Sequence, residues 1–233
     1  MAPCDSNLRL RRARREAPIA VASHTPAGHR HAFQDEIARR IAIFLRWLAD
    51  ALFAQRYGHR AIVLETIAAV PGMVGGMIQH LRALRRMEPD DGWIRSLLDE
   101  AENERMHLMT FVALYRPTGP ERLLVIGAQA VFFMAYLLLY LLSPRTAHRL
   151  VGCLEEEAVA SYSDYLARID AGAMENVGAP PQAVAYWKLP PTATLREVVI
   201  AIREDECHHR DVNHQYADQL AGRSASSRRS PSP

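Results

Sequence analysis

The sequence predicts an all-α protein: a four-helix bundle with two further helices laid against it. Three observations carry that expectation. Apolar residues recur at helical spacing along most of the chain, and no stretch alternates as a half-buried strand does. The breaks are short runs of turn formers, "QRYGHR", "EPDDG", "RPTGPE" and "LSPRT", with one longer break from Gly172 to Pro191. A composition of 49% hydrophobic residues in a chain of 233 is enough for one sizeable core, so one domain is expected.

Residues 1–32 contain "LRLRRARREAP" and then a stretch of Ala, Pro and His, and read as a flexible basic arm. They lack the apolar core of a secretory leader, and Asp5 and Glu16 weaken a transit-peptide reading. The domain is expected over 33–222. Its first helix, about 33–54, mixes Arg39, Arg40 and Arg46 with Ile, Phe, Leu and Trp47, which suits equally a helix lying in a membrane interface and one facing a core. The second, about 59–86, holds Glu65 as the only charged residue between Arg60 and His80. The third spans about 92–116. The fourth, about 120–142, is uncharged from Leu123 to Leu142 and by length alone would cross a bilayer. The fifth and sixth are expected at about 145–170 and 193–221. Residues 223–233, "RSASSRRSPSP", are low-complexity and read as a disordered tail.

A formal charge of +2 gives no electrostatic footprint for nucleic acid, and no nucleic-acid partner is expected. Cys4, Cys153 and Cys207 are odd in number and without CxxC spacing, so neither a disulfide framework nor a cysteine zinc site is indicated, and a reducing compartment fits.

Two Glu-x-x-His pairs stand out, Glu104 with His107 and Glu206 with His209. At helical spacing each pair offers two ligands from one face, although chance alone supplies about one such pair in a chain of this composition. Ferritin-like di-iron bundles take one Glu from each of two helices and a Glu-x-x-His from each of the other two. Glu65 meets that requirement: a lone carboxylate in an apolar run carries a large desolvation cost unless it is paired or bound to a cation. The fifth helix offers one of the three acids in "LEEEA", a run that by itself would read as solvated acids at a helix start. Carboxylate oxygens with two imidazoles suit iron or manganese better than zinc. Asn103 and Asp205, each just before a ligand Glu, are candidates to hold the imidazoles, while Asp205 and His208 repeat the Glu206 and His209 spacing one residue earlier. A shared metal site also argues against a membrane crossing. If the fourth helix spanned a bilayer, the fifth-helix acid would end far from the level of Glu104.

"LETIAAVPGMVGGM", "EAENERMHLMTF", "LEEEA" and "REDECHHRDVNH" resemble, in order over residues 33 to 221, the signature segments of the alternative oxidase family, the di-iron, non-proton-pumping ubiquinol oxidases of mitochondria and some bacteria. The resemblance implies two Fe ions per chain, held by Glu65, Glu104, His107, Glu155, Glu206 and His209, with Tyr162 as catalytic tyrosine and Tyr186 and Trp187 beside the centre. It implies a quinol pocket of Arg60 and Leu64 against Leu154, Glu157, Ala158 and Ser161. Each of those two sets also repeats at three or four residues and so lines one helix face. Ser161 stands where many relatives have threonine, and Glu204 and Cys207 replace small residues common there. His80 and His148 match structural and dimer-contact histidines, not ligands. The implied activity is cyanide-insensitive oxidation of ubiquinol by O2, giving water, in a homodimer held on one membrane leaflet by the first and fourth helices. The cytoplasmic face of a bacterial inner membrane is expected, with the matrix side of the mitochondrial inner membrane as the alternative. Other possible activities are those of a plastid-type quinol oxidase, a quinone hydroxylase or a ferritin-like iron-binding bundle.

Overall fold

The computed structural model describes residues 29–53 and 57–227, which form seven helices with no strand among them. These are α1 (His29–Phe53), α2 (Tyr57–Arg86), α3 (Trp93–Leu114), α4 (Gly119–Leu142), α5 (Pro144–Asp170), α6 (Pro181–Trp187) and α7 (Leu195–Ser227). Local chemistry sets the starts. Thr118 and Glu121 form a capping box for α4, and the Ser143 side chain accepts from the Thr146 amide at the start of α5, whose first residue is Pro144. Thr194 donates its amide to Glu197 at 2.8 Å in front of α7.

α2, α3, α5 and α7 make the bundle, with α2 packed on α3 and α5 on α7. One end of the core is filled by Ile62, Phe111, Tyr165, Leu195, Val198 and Ile202. The other end is closed by Trp93, Leu97 and Tyr216 between α3 and α7. α4 lies across α2 and α5, burying Tyr136 and Tyr140 against Val70, Val74, Ala147 and Val151. α1 lies on α5 through Ala38 and Ala42, which meet Leu150 and Cys153.

The expected elements need three corrections. The break from Gly172 to Pro191 contains α6, which sequence periodicity missed because the helix is only 7 residues long and begins with a proline. A proline in the first turn starts a helix as readily as it ends one. Lys188, at φ 53, then closes α6 in the left-handed conformation. α1 begins at His29, inside the segment assigned to the arm, and α7 runs on to Ser227, inside the segment assigned to the tail. A helix already nucleated extends through Ala and Ser at little cost. The rest of the expected arm and tail lies outside the described residues.

Among the described residues two segments are long and apolar enough to cross a membrane, Gly58–Arg86 and Gly119–Leu142. The first is mostly buried as the core helix α2, whereas only 11% of the apolar window of α4 is buried. α1 is amphipathic in an unusual sense. Ala38, Ala42 and Ala49 face the protein, while Phe33, Phe44 and Trp47 face outward. The choice that the sequence left open for this helix therefore falls to an exposed apolar face.

Candidate metal centre

Glu104 and His107 project from one face of α3, and Glu206 and His209 from one face of α7, as three-residue spacing requires. Glu65 enters from α2. Of the three consecutive acids on α5, Glu155 turns inward, Glu156 is exposed and Glu157 is half-buried. Asp205 and Glu206 are both buried, but His208 is exposed, so the competing Asp205 and His208 pair does not converge.

The donor atoms form two overlapping groups. Glu65, Glu104, His107 and Glu206 make one; Glu104, Glu155, Glu206 and His209 make the other; within each group the atoms lie within 4.8 Å of one another. Glu104 and Glu206 belong to both, and each group adds one further carboxylate and one imidazole. Two such groups sharing two carboxylates would suit a pair of cations. His107 Nδ1 lies 3.3 Å from oxygens of Glu65, Glu104 and Glu206, and His209 Nδ1 lies 2.7 Å from Glu104. Even so, Glu65 Oε2, both Glu104 oxygens, Glu206 Oε2 and both Nδ1 atoms are buried without hydrogen-bond geometry to any partner. Buried polar atoms are nearly always satisfied, so an orphaned set converging on one small volume fits a cation site, and its oxygen and imidazole donors suit iron or manganese.

Electrostatics agree with that fit. Burial pushes the Glu65 and Glu155 carboxyls well above the ordinary range, with Glu104 and Glu206 adding repulsion. Glu104 goes the other way: burial opposes its ionisation, but the His107 and His209 imidazoles hold it well below the usual value. Both imidazoles are in turn raised, against burial, chiefly by Glu104. Without cations the site keeps its charges balanced with protons, and bound cations would displace them.

The residues around this cluster hold it in place. Asp205 Oδ2 is 3.5 Å from His107 Nε2 and accepts from Trp187 Nε1 at 2.8 Å and Asn103 Nδ2 at 2.9 Å. Asn103 also donates to the Tyr186 hydroxyl at 3.0 Å. The four residues expected beside the ligands thus form one knot behind His107, two of them brought there by α6. The Tyr162 hydroxyl donates to Glu65, and burial next to that carboxylate pushes the phenol well above its ordinary pKa.

A cavity of about 220 Å³ runs from this point between α1, α2, α4 and α5. All six residues expected in a quinol pocket, Arg60, Leu64, Leu154, Glu157, Ala158 and Ser161, line it, as do Glu65, Glu155, Tyr162 and Glu206. Arg60 pairs with Asp50 and Arg46 with Glu157, which ties α1 to the cavity wall. His80 is exposed and His148 is buried away from the donor groups.

Sequence reasoning missed a second set of polar residues. Asn213 Nδ2 donates to Glu100 Oε2 at 2.9 Å and to the His209 carbonyl at 3.0 Å, and Asn213 Oδ1 lies 2.9 Å from His148 Nδ1. The available signal was spacing: Asn213 lies one turn past His209, and Glu100 one turn before Glu104. Burial pushes the Glu100 carboxyl up to about 7, against the pull of His209.

The family model for "Alternative oxidase" matches residues 19–218. "Ubiquinol oxidase, mitochondrial" of Mangifera indica is 56% identical over 192 residues, covering 82% of this chain and 60% of that protein. "Alternative oxidase 3, mitochondrial" of Glycine max is 57% identical over 195 residues, 84% of this chain and 59% of the relative. "Ubiquinol oxidase 1c, mitochondrial" of Arabidopsis thaliana is 58% identical over 184 residues, 79% and 56% respectively. The chain thus spans 56% to 60% of the length of these relatives.

Proposed function

The chain belongs to the alternative oxidase family, and from that premise we propose that it oxidises ubiquinol with O2, two quinols and one O2 giving two quinones and two waters, without moving protons across a membrane. The observation that carries this reading is the junction of cavity and donor cluster. Glu65, Glu155 and Glu206 belong to the cation-binding groups and also line an apolar cavity wide enough for a quinol ring. Two iron ions, held by Glu65, Glu104, His107, Glu155, Glu206 and His209, would supply the reducible centre at which O2 becomes water and the resistance to cyanide.

This chain's own residues do the rest. Leu64, Leu154 and Ala158 exclude water and hold the ring by apolar contact, while Arg60, Glu157 and Ser161 offer polar atoms for its oxygens. Tyr162 lines the cavity and donates to Glu65, which lines it too. With its phenol held well above the ordinary value by burial beside Glu65, Tyr162 would release a proton together with an electron, and Glu65, freed of its own proton by bound cations, would be the adjacent acceptor. Asp205, Asn103, Tyr186 and Trp187 fix the His107 ring.

The cavity is walled in part by α1 and α4, both of which carry outward apolar faces, so a lipid-soluble substrate would reach it from the bilayer. α1 and α4 then rest in one leaflet. Met73, Met77 and Leu84 form an exposed stripe on α2 that a second copy of the chain would cover in a homodimer. The relatives' names say mitochondrial, which supports the mitochondrial alternative over the bacterial location expected from the sequence.

The test is oxygen uptake by the purified, iron-loaded protein in detergent with a short-chain ubiquinol and cyanide present. Uptake that Glu206→Ala abolishes, with neither peroxide nor altered quinone accumulating, is the expected result. A hydroxylated quinone would point to a hydroxylase, and many iron atoms per chain without quinol turnover to a storage bundle.

A further inference from the structure

The two halves of the cluster are supported differently. Behind His107 stands a buried carboxylate, Asp205, locked by Trp187 and Asn103. Nothing in the expected set plays that part for His209. Glu100 and Asn213 do lie on that side, buried at 5% and 1% exposure. Asn213 caps the His209 carbonyl with the same amide nitrogen that binds Glu100, and so ties α3 to α7 at that histidine. Those two contacts orient the Asn213 amide, leaving its oxygen to accept from His148 Nδ1–H. His148 Nε2 is then the acceptor for the Tyr140 hydroxyl at 3.3 Å. The relay from Tyr140 on α4 through His148 on α5 and Asn213 on α7 thus ends on Glu100 of α3.

The other Glu100 oxygen is buried with no hydrogen-bond partner, in the field of His209. Bound cations would favour the ionised form of Glu100, and a carboxylate there would lend negative charge to the His209 side, through Asn213 and the His209 carbonyl where Asp205 touches the His107 ring directly. We propose that Glu100, oriented by Asn213, is a positioning residue for the His209 and Glu155 half of the cluster, and that it sets the affinity of that half for a divalent cation independently of the His107 half. The inference rests on the two-cation reading above.

Anaerobic Fe(II) titration of the full-length protein, followed calorimetrically, tests both and separates them. The wild type is expected to take up two ions. Glu100→Gln keeps the shape and an acceptor for Asn213 but removes the charge, and it should weaken one ion by roughly 10- to 100-fold, the usual cost of an outer partner, leaving the other unchanged. Asn213→Ala should weaken the same ion, and Asp205→Asn the other one. Because Glu100→Gln is nearly isosteric, its folding is checked by an unchanged circular dichroism spectrum and melting curve. A Glu100→Gln isotherm that superimposes on the wild type, or one in which both ions weaken equally, overturns the proposal while the two-cation reading stands. A folded wild type that binds no Fe(II) overturns both.

Discussion

Tyr162 shows what a single side chain decides here. Its ring packs against Phe111, and its hydroxyl is committed to Glu65. Removing that oxygen deletes the proposed proton route but leaves the six donors, so Tyr162→Phe is expected to lose about 10²-fold or more in quinol-dependent oxygen uptake at unchanged iron content. A variant with full turnover would remove the tyrosine from the reaction. His148 makes a different test, of stability. Burial drives its imidazole down to about 4, so the folded protein holds it neutral. Between roughly pH 6.5 and 4 the unfolded chain then binds the extra proton, and this contribution, complete above 6.5, is lost as pH falls through that window. The loss should reach about 3 kcal/mol below pH 4. It should appear as the difference in acid dependence between wild type and His148→Gln in urea melts; parallel pH curves for the two proteins would contradict it.

At the scale of the helix, the ligands meet because α2 and α3 approach closely. A Cβ on Gly72 would lie 2.4 Å from the backbone oxygen of Leu97, whereas one on Gly152 would meet the His214 ring at 2.5 Å. A backbone cannot rotate away and an imidazole can. Gly72→Ala should therefore cost about 1–3 kcal/mol or more, and Gly152→Ala less. Only the first should lower iron occupancy, by moving Glu65 away from Glu104. Equal melting temperatures for the two variants would refute this account of the packing. The same helices show what could be read in advance. Glu65 was legible because a charge inside an apolar run is costly, and the two Glu-x-x-His pairs because helical spacing puts each on one face. The inward acid of "LEEEA" was not legible from the run itself, since only the packing of α5 on α7 selects Glu155. Asn213 and Glu100 look like solvated helix residues until the partner helices arrive. α6 was hidden because its proline reads as a break, yet it delivers Trp187 to Asp205 and Tyr186 to Asn103.

For the whole molecule, the arrangement of α4 decides how the protein meets a bilayer. α4 is 24 residues long, which at 1.5 Å per residue is about 36 Å, enough to cross. α3 before it and α5 after it nevertheless bring Glu104 and Glu155 into one donor group. Tyr136 and Tyr140 fasten α4 along α2 and α5, so its direction is set by the bundle. One side is buried, while Leu123, Val131 and Leu142 stay more than two-thirds exposed, as the proposed seat of α4 in one leaflet requires. Single cysteines at Gly119 and Ser143, introduced after the native cysteines are replaced, mark the two ends. In sealed vesicles a membrane-impermeant maleimide should label both from the same side. Protection of one end until detergent is added would mean that α4 crosses, and the donor group joining α3 and α5 could not then exist as seen. Substituting Leu123, Val131 and Leu142 by aspartate should release the protein from vesicles, since burying each such side chain is worth about 1.5–3 kcal/mol and the added charges oppose insertion. Iron uptake in detergent should persist in that variant, because none of the three residues belongs to the donor cluster; joint loss of iron and membrane binding would mean instead that the lipid face holds the bundle together.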